Sequence, residues 1–316
     1  MGSTLGCIVN NTEDTEMQIF HHDDADGRCA AAIVRKAHDN MNMGFNSINY
    51  KDAFPHDKVK DGEMVVIVDF SIDPEDMKKL RDKTDTVYWI DHHGTAADRE
   101  KAYGPPKIKG LRNFKDKEKA GCELAWDFYF KGQDMPMAVA LVGDYDKWAH
   151  KMADSKMFFE GLKLEAHEPA DKIWDTLLGS SRKAQRKEVD RIVENGKPAI
   201  KYRDEYCKEI RDTFGYETTF EGLNCYAMNL YRFGSAQFGD LMSKYDACIA
   251  YINDGDQYTV SLYSEGDDID VGKVCQKHGG GGHKGAAGFV SKELPFKPTG
   301  TKTTESMDTK VSRTGT

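Results

Sequence analysis

Apolar residues along the first 180 positions fall into short blocks that alternate between two periods. Met17–Phe20 is a compact apolar run that predicts a strand, and the Ala-rich stretch Gly27–Ala37 predicts a helix. Met64–Phe70, MVVIVDF, is almost continuously apolar, as expected of a strand covered on both faces. SIDPEDMKKL then predicts a helix start, with acids in its first turn and Pro74 early. Val87–Ile90 predicts a third strand, and Ala138–Val142 reads as a fourth. Strands alternating with helices imply an α/β fold built on a parallel sheet.

Residues 181–214 are rich in charge, with apolar positions at Val189, Ile192 and Val193 and again at Tyr206, Ile210 and Phe214. That spacing predicts a helical linker, broken near Gly196 and Pro198, between two domains. Beyond it, Leu223–Leu230, Ala247–Ile252 and Tyr258–Tyr263 predict strands, with a helix near Ala236–Tyr245 between the first two. A helix-like Asp270–Lys277, a glycine run and a strand-like AAGFV close a smaller α/β domain. The expected organisation is a loose arm over 1–16, a first domain over 17–180, the linker 181–214 and a second domain over 215–295. A disordered tail rich in Thr, Lys and Ser follows over 296–316.

Composition narrows the partners. The chain has 316 residues, 39% of them hydrophobic, enough for a sizeable core and about two domains. A net charge of −9 argues against a long nucleic-acid duplex held on a broad basic surface. A small anionic substrate stays compatible if bound cations supply local positive charge. The seven cysteines are scattered without a C-x-x-C pair, which favours a reducing compartment over a disulfide framework. No apolar run is long enough to span a bilayer and no signal-peptide pattern is seen, so a soluble cytoplasmic protein without a membrane partner is expected. A homodimer is compatible with the sequence.

The chemistry gathers where the predicted strands end. In an open parallel sheet, ligands bind beyond the carboxyl ends of the strands. There the first strand gives HHDDADG, with His22, Asp24 and Asp26 on alternate residues; the second gives Asp69; the third gives Asp91, His92 and His93; and the fourth gives Asp144 and Asp146. Taken singly, each has an ordinary reading as a helix cap, a turn residue or a solvated acidic loop. Together on one edge they would repel strongly unless cations held them. Imidazole and carboxylate without thiolate suit manganese, cobalt or iron, and the number of ligands suggests two ions.

These motifs resemble those of the DHH phosphoesterase superfamily: His22-Asp23-Asp24-Ala25-Asp26-Gly27, Asp69, Asp91-His92-His93 and Asp144. Gly279–Phe289, GGGGHKGAAGF, resembles the glycine-histidine signature of the DHH-associated C-terminal domain. The resemblance spans roughly residues 17–295 and looks most like the branch of nanoRNases and bisphosphate-nucleotide phosphatases. It implies that His22 and Asp24 bind one divalent ion, that Asp26, His92 and Asp144 bind the other, and that Asp69 bridges them. It further implies that His93 meets the substrate phosphate while Asp91 orients the imidazoles. His22 and Asp24 are chosen over His21 and Asp23 by the H-x-D-x-D spacing, and Asp146 is the alternative to Asp144. The ions implied are Mn2+, with Co2+, Fe2+ or Mg2+ as substitutes.

The glycine run contains a formal G-x-G-x-x-G match, but a helix precedes it and a strand follows, so a dinucleotide-binding turn is excluded by context. By resemblance, Gly281, Gly282 and His283 grip the substrate's terminal phosphate or nucleotide. Many relatives carry an Arg where this chain has Tyr263 in SLYS; a tyrosine there suits base stacking or a core position better than a phosphate fork. The function implied is hydrolysis of short oligonucleotides to 5′-mononucleotides. A 3′-phosphatase acting on adenosine bisphosphate, a cyclic-dinucleotide hydrolase and a non-catalytic RNA-binding module are the alternatives.

Overall fold

The computed structural model describes residues 16–49, 52–94, 96–115, 118–266 and 268–299. Residues 1–15 of the expected arm and the tail beyond 299 lie outside them. The chain divides into two compact units, Met1–Ala199 and Ile200–Thr316.

The first unit is built on four strands: β1 (Met17–His22), β2 (Met43–Ile48), β3 (Met64–Val68) and β4 (Val87–Ile90). All pair in parallel, in the order β2-β1-β3-β4. Successive side chains point to opposite faces, and both faces are covered. Met17, Ile19, Val66, Val68 and Ile90 pack into one core with α1 (Ala25–Ala37), α4 (Gly121–Tyr129) and α5 (Met137–Asp146). α6 (Ser155–Leu162), α7 (Ile173–Leu177) and the first part of α8 (Arg182–Phe214) complete that layer. Phe20, Val65, Ile67, Val87 and Trp89 face the other way, onto Met77 and Leu80 of α2 (Pro74–Lys83) and Ala96 and Tyr103 of α3 (Ala96–Tyr103). This double cover explains why MVVIVDF reads as continuous apolar sequence. All four strands therefore point their carboxyl ends to one edge.

Two expectations are corrected. The apolar segment Ala138–Val142 is not a fourth strand but the middle of α5, which starts after Pro136 and runs through Asp146. Its Ala and Leu are good helix formers, and a short apolar run cannot separate a buried helix from a buried strand. The missing sheet member is β2, MGFNSI, whose weak alternation hid it. Nor does α8 break at Gly196 and Pro198: it is continuous, with Pro198 inside it. Gly196 is there for close approach, since a Cβ would collide with the Met157 carbonyl oxygen.

The second unit holds a six-stranded sheet of β5 (Tyr216–Phe220), β6 (Leu223–Met228), β7 (Ala247–Asn253), β8 (Tyr258–Tyr263), β9 (Gly281–His283) and β10 (Ala286–Ser291). The order is β5-β6-β7-β8-β10-β9, with only β6 and β7 parallel. α9 (Val271–Gln276) is capped by Asp270, whose carboxylate takes the Lys273 amide at 3.1 Å. The predicted helix near Ala236–Tyr245 is a 3-10 segment, Gly234–Ser243, kinked at Gly239. Residues 296–299 were expected in the disordered tail, yet the Phe296 ring is buried 5.6 Å from that of Phe220 and Thr299 donates its amide to the Glu217 carbonyl at 2.9 Å. One aromatic side chain with a core to enter thus outweighs the polar composition around it. The six described cysteines are buried, and no disulfide joins them. Among the described residues no helix is long and apolar enough to cross a membrane.

Candidate active site

The site grows from the carboxyl edge of the four-stranded sheet. β1 ends at His22, and the next residues open α1. Asp24 is the N-cap of α1, its carboxylate accepting the Gly27 amide at 2.8 Å while its other oxygen lies 2.8 Å from His22 Nδ1. The adjacent pair resolves differently. His21 is fully buried with Nδ1 on the His22 carbonyl oxygen at 2.9 Å, and Asp23 pairs with Arg28 at 2.6 Å. Asp26, also buried, receives the amides of Gly121 at 2.7 Å and Cys122 at 2.9 Å, the exposed donors at the start of α4.

β3 delivers Asp69. Its amide donates to the Ile90 carbonyl oxygen at 2.8 Å, and its backbone turns left-handed, φ 54°, a conformation costly for a non-glycine residue. β4 delivers Asp91, which is fully buried. One oxygen of Asp91 accepts the amides of His92 at 2.8 Å and His93 at 3.1 Å and meets His93 Nδ1 at 2.8 Å. Asp91 thus fixes one imidazole by its ring and the other only through the backbone.

The last acid comes from α5, and here the sequence-based preference is corrected. Asp144 does not face the cluster: its two oxygens accept the amides of Lys151 at 2.9 Å and Met152 at 3.1 Å. Asp146 does, with Oδ2 3.4 Å from His92 Nε2. On a helix these positions are two residues apart and face different ways. Spacing derived for a strand, which would have put both on one face, could not choose between them.

Three overlapping sets result: His22, Asp24 and Asp69; Asp26, His92 and Asp146; and Asp69, His92 and His93. His92 Nε2 looks onto Asp69 at 3.2 Å, Asp146 at 3.4 Å and Asp26 at 3.7 Å. Asp69 lies between, with His22 Nδ1 and His93 Nδ1 each 3.8 Å from one of its oxygens. Donors about 2.1 Å from one ion sit roughly 3.0–3.4 Å from one another, so these separations need little adjustment.

Electrostatics point the same way. Burial pushes the Asp69 carboxyl well above the usual range, and Asp26, Asp24, Asp146 and Asp91 add to it. Burial raises Asp146 likewise, with Asp26, Asp24 and Glu123 reinforcing it and Lys147 opposing. Burial also opposes charge on Asp24, but the hydrogen bond and charge of His22 and the Gly27 amide outweigh it and hold that carboxyl low. His22 shows the converse: burial lowers it, and the hydrogen bond and charge of Asp24 prevail and raise it. Burial lowers His92, leaving the neutral imidazole that ligates a cation. Neither oxygen of Asp69 accepts a hydrogen bond although both are buried. A buried carboxylate without a donor is expensive, and a nearby cation would offset that expense. The donors present therefore fit divalent-metal binding.

Three residues not singled out from the sequence support this edge. Gly121 lets α4 approach: a Cβ there would lie 2.7 Å from Asp69 Cβ and 2.9 Å from Asp26 Oδ2. Glu123, nearly buried, accepts the Ala120 amide at 2.9 Å and pairs with Lys147 at 2.6 Å, tying α4 to the end of α5 beside Asp146. The Glu at the third helical position of AGCEL was the available signal for this helix start.

The remaining predicted residues belong to the second unit. Gly281, Gly282 and His283 make up β9, paired with Gly288, Ala287 and Ala286 of β10. Tyr263 ends β8 with its ring 6.1 Å from that of Phe238, and burial raises its phenol.

Imidazoles and carboxylates converging beyond the carboxyl ends of a parallel sheet, around an unsatisfied buried aspartate, define an α/β protein with a metal-ligand type of centre. Residues 16–144 match the family described as DHH family, N-terminal domain. The chain is 25% identical over 261 residues to uncharacterized protein R106 of Acanthamoeba polyphaga mimivirus, covering 76% of this chain but 57% of that relative. The chain thus spans little more than half the length of that curated relative. An exopolyphosphatase-related protein from Bacteroides fragilis shares the fold, with a TM-score of 0.50 at 12% identity over 90% of this chain and 89% of its own. A pGpG-specific phosphodiesterase from Vibrio cholerae matches at a TM-score of 0.47 and 15% identity, over 88% of this chain and 93% of its own.

Proposed function

We propose that the chain is a two-metal-ion phosphodiesterase that hydrolyses short oligonucleotides, nanoRNA or linear dinucleotides, to 5′-mononucleotides, with Mn2+ as its ion. The observation that carries this reading is Asp69, buried, without a hydrogen-bond donor on either oxygen, and ringed by His22, His92 and His93. In this reading His22 and Asp24 would hold one ion, Asp26, His92 and Asp146 would hold the other, and Asp69 would serve both. Divalent ions bound there would lower the pKa of water and offset charge on phosphoryl oxygens. His93, whose Nδ1 meets Asp91 at 2.8 Å, is proposed to contact a non-bridging phosphate oxygen. The departing ribose 3′ oxygen takes its proton from solvent.

The net charge of −9 supports substrates of a few nucleotides over long strands. Gly281, Gly282, His283 and Tyr263 of the second unit are proposed to bind a nucleotide, glycine amides suiting a phosphate and the tyrosine a base. The test is a panel in Mn2+: a linear dinucleotide, adenosine 3′,5′-bisphosphate and a cyclic dinucleotide. Fastest turnover of the linear dinucleotide, with mononucleotide products, is expected. Preference for the bisphosphate or the cyclic compound would overturn the substrate assignment, and RNA retained uncut by metal-replete protein would overturn the activity.

A further inference from the structure

The turn after α5 is strained without being buried. Trp148 has φ 56° and His150 φ 46°, two left-handed non-glycine residues within three positions. Bulky side chains adopt this backbone rarely, and such strain persists where surrounding contacts impose it. Here Asp144 imposes it. Its carbonyl oxygen accepts the amides of Ala149 at 3.0 Å and His150 at 3.3 Å, and its carboxylate accepts those of Lys151 and Met152. The acid that spacing had suggested as a ligand instead clamps the turn that follows Asp146.

The clamp holds an aromatic group outward. Trp148 is 50% exposed, and its ring lies 4.6 Å from that of His150 and 5.7 Å from that of Tyr145. Tyr145 is itself stacked on Phe159, centroids 3.7 Å apart and planes at 14°. The indole is therefore braced from behind by a packed aromatic group while keeping an open face. Two residues of chain span at most about 7 Å, so the Trp148 backbone lies within about that distance of the Asp146 backbone. A nucleotide bridges a comparable gap between its phosphate and its base.

We propose that Trp148, braced by His150 and Tyr145, is the stacking platform for a nucleobase of the substrate, which rests on the reading of the site as a phosphodiesterase. Such stacking tolerates any base, because every base has a π-face. The platform would make the enzyme favour base-bearing phosphodiesters over phosphate chains of the same charge.

The test uses the full chain with Mn2+, the variants Trp148→Gly and Trp148→Phe, and two substrates: linear diadenylate and the corresponding phosphodiester lacking both bases. For Trp148→Gly, KM for the diadenylate should rise about 5- to 100-fold with kcat little changed, the range set by base–aromatic stacking. Turnover of the base-free compound should be unaffected, and Trp148→Phe should recover most of the loss. Glycine accepts the left-handed backbone, so the melting temperature of Trp148→Gly should not fall below that of the wild type. Equal losses on both substrates, no loss on either, or a lowered melting temperature would overturn the proposal. A binding arm separates it from the activity: 5′-AMP should quench tryptophan fluorescence of the wild type but not of Trp148→Phe. That result without phosphodiester turnover would sink the function and keep the platform; turnover with KM indifferent to Trp148 would sink the platform alone.

Discussion

Gly121→Ala tests how tightly the site is packed. The added Cβ would sit 2.7 Å from Asp69 Cβ, 2.8 Å from Asp69 Oδ1 and 2.9 Å from Asp26 Oδ2. Comfortable separations begin near 3.5 Å, so α4 or Asp69 must move by about 0.7 Å. α4 resists, because its first amides are committed to Asp26 at 2.7 and 2.9 Å. Metal-ligand distances tolerate only about 0.2 Å, so the displacement exceeds what coordination at Asp69 allows. Overpacking costs about 1–3 kcal/mol, equivalent to a fall of roughly 2–10 °C in melting temperature for a unit of this size. Gly94→Ala is the matched control, next to His93, where the nearest atom to a Cβ would be the Phe114 carbonyl oxygen at 3.9 Å. Calorimetric titration with Mn2+ should show affinity weakened at least tenfold in Gly121→Ala and unchanged in Gly94→Ala. Wild-type affinity in the first, or equal damage in both, would refute the packing argument.

Asp146→Asn and Asp144→Asn should separate in opposite senses. The first should weaken Mn2+ binding tenfold or more while leaving the metal-free protein as stable or more so, since it relieves like-charge crowding. The second weakens the acceptor of the Lys151 and Met152 amides and should destabilise by about 1–3 kcal/mol, read by chemical denaturation. A pH dependence follows from the raised carboxyls of Asp69 and Asp146. Below about pH 4 they are protonated in folded and unfolded states alike; above it the unfolded chain ionises first, so this pair lowers metal-free stability as pH rises. Mn2+ must displace those protons and the one that His22 holds through Asp24, whereas His92 is already neutral, so the rise in melting temperature on adding Mn2+ should grow from pH 5.5 to 7.5. An increment independent of pH would contradict the proton competition.

Much of this was legible because local signals and tertiary roles coincide. β1, β3 and β4 read as strands since their residues are apolar on both faces, and the polar residues that end them could only lie at one edge. The fourth ligand segment misled for a physical reason: a helix buried in the layer covering the sheet is as apolar as a strand, and MAVALVGDYD is too short for its period to show. Choosing between Asp144 and Asp146 needed the helix. Gly121 was illegible because its meaning lies in its approach to Asp26 and Asp69, residues distant in sequence. Gly196 was misread as a break for the same reason, its constraint being the Met157 carbonyl on another helix.

In the proposed centre Asp69 would lie between two divalent ions, with His22 and Asp24 on one side and Asp26, His92 and Asp146 on the other. Anomalous diffraction at the manganese edge, from crystals grown with Mn2+, tests it most directly. Two peaks about 3.5–4 Å apart are expected, one on each side of the Asp69 carboxylate. A single peak, no peak at Asp69, or an ion ligated by Asp144 would contradict it.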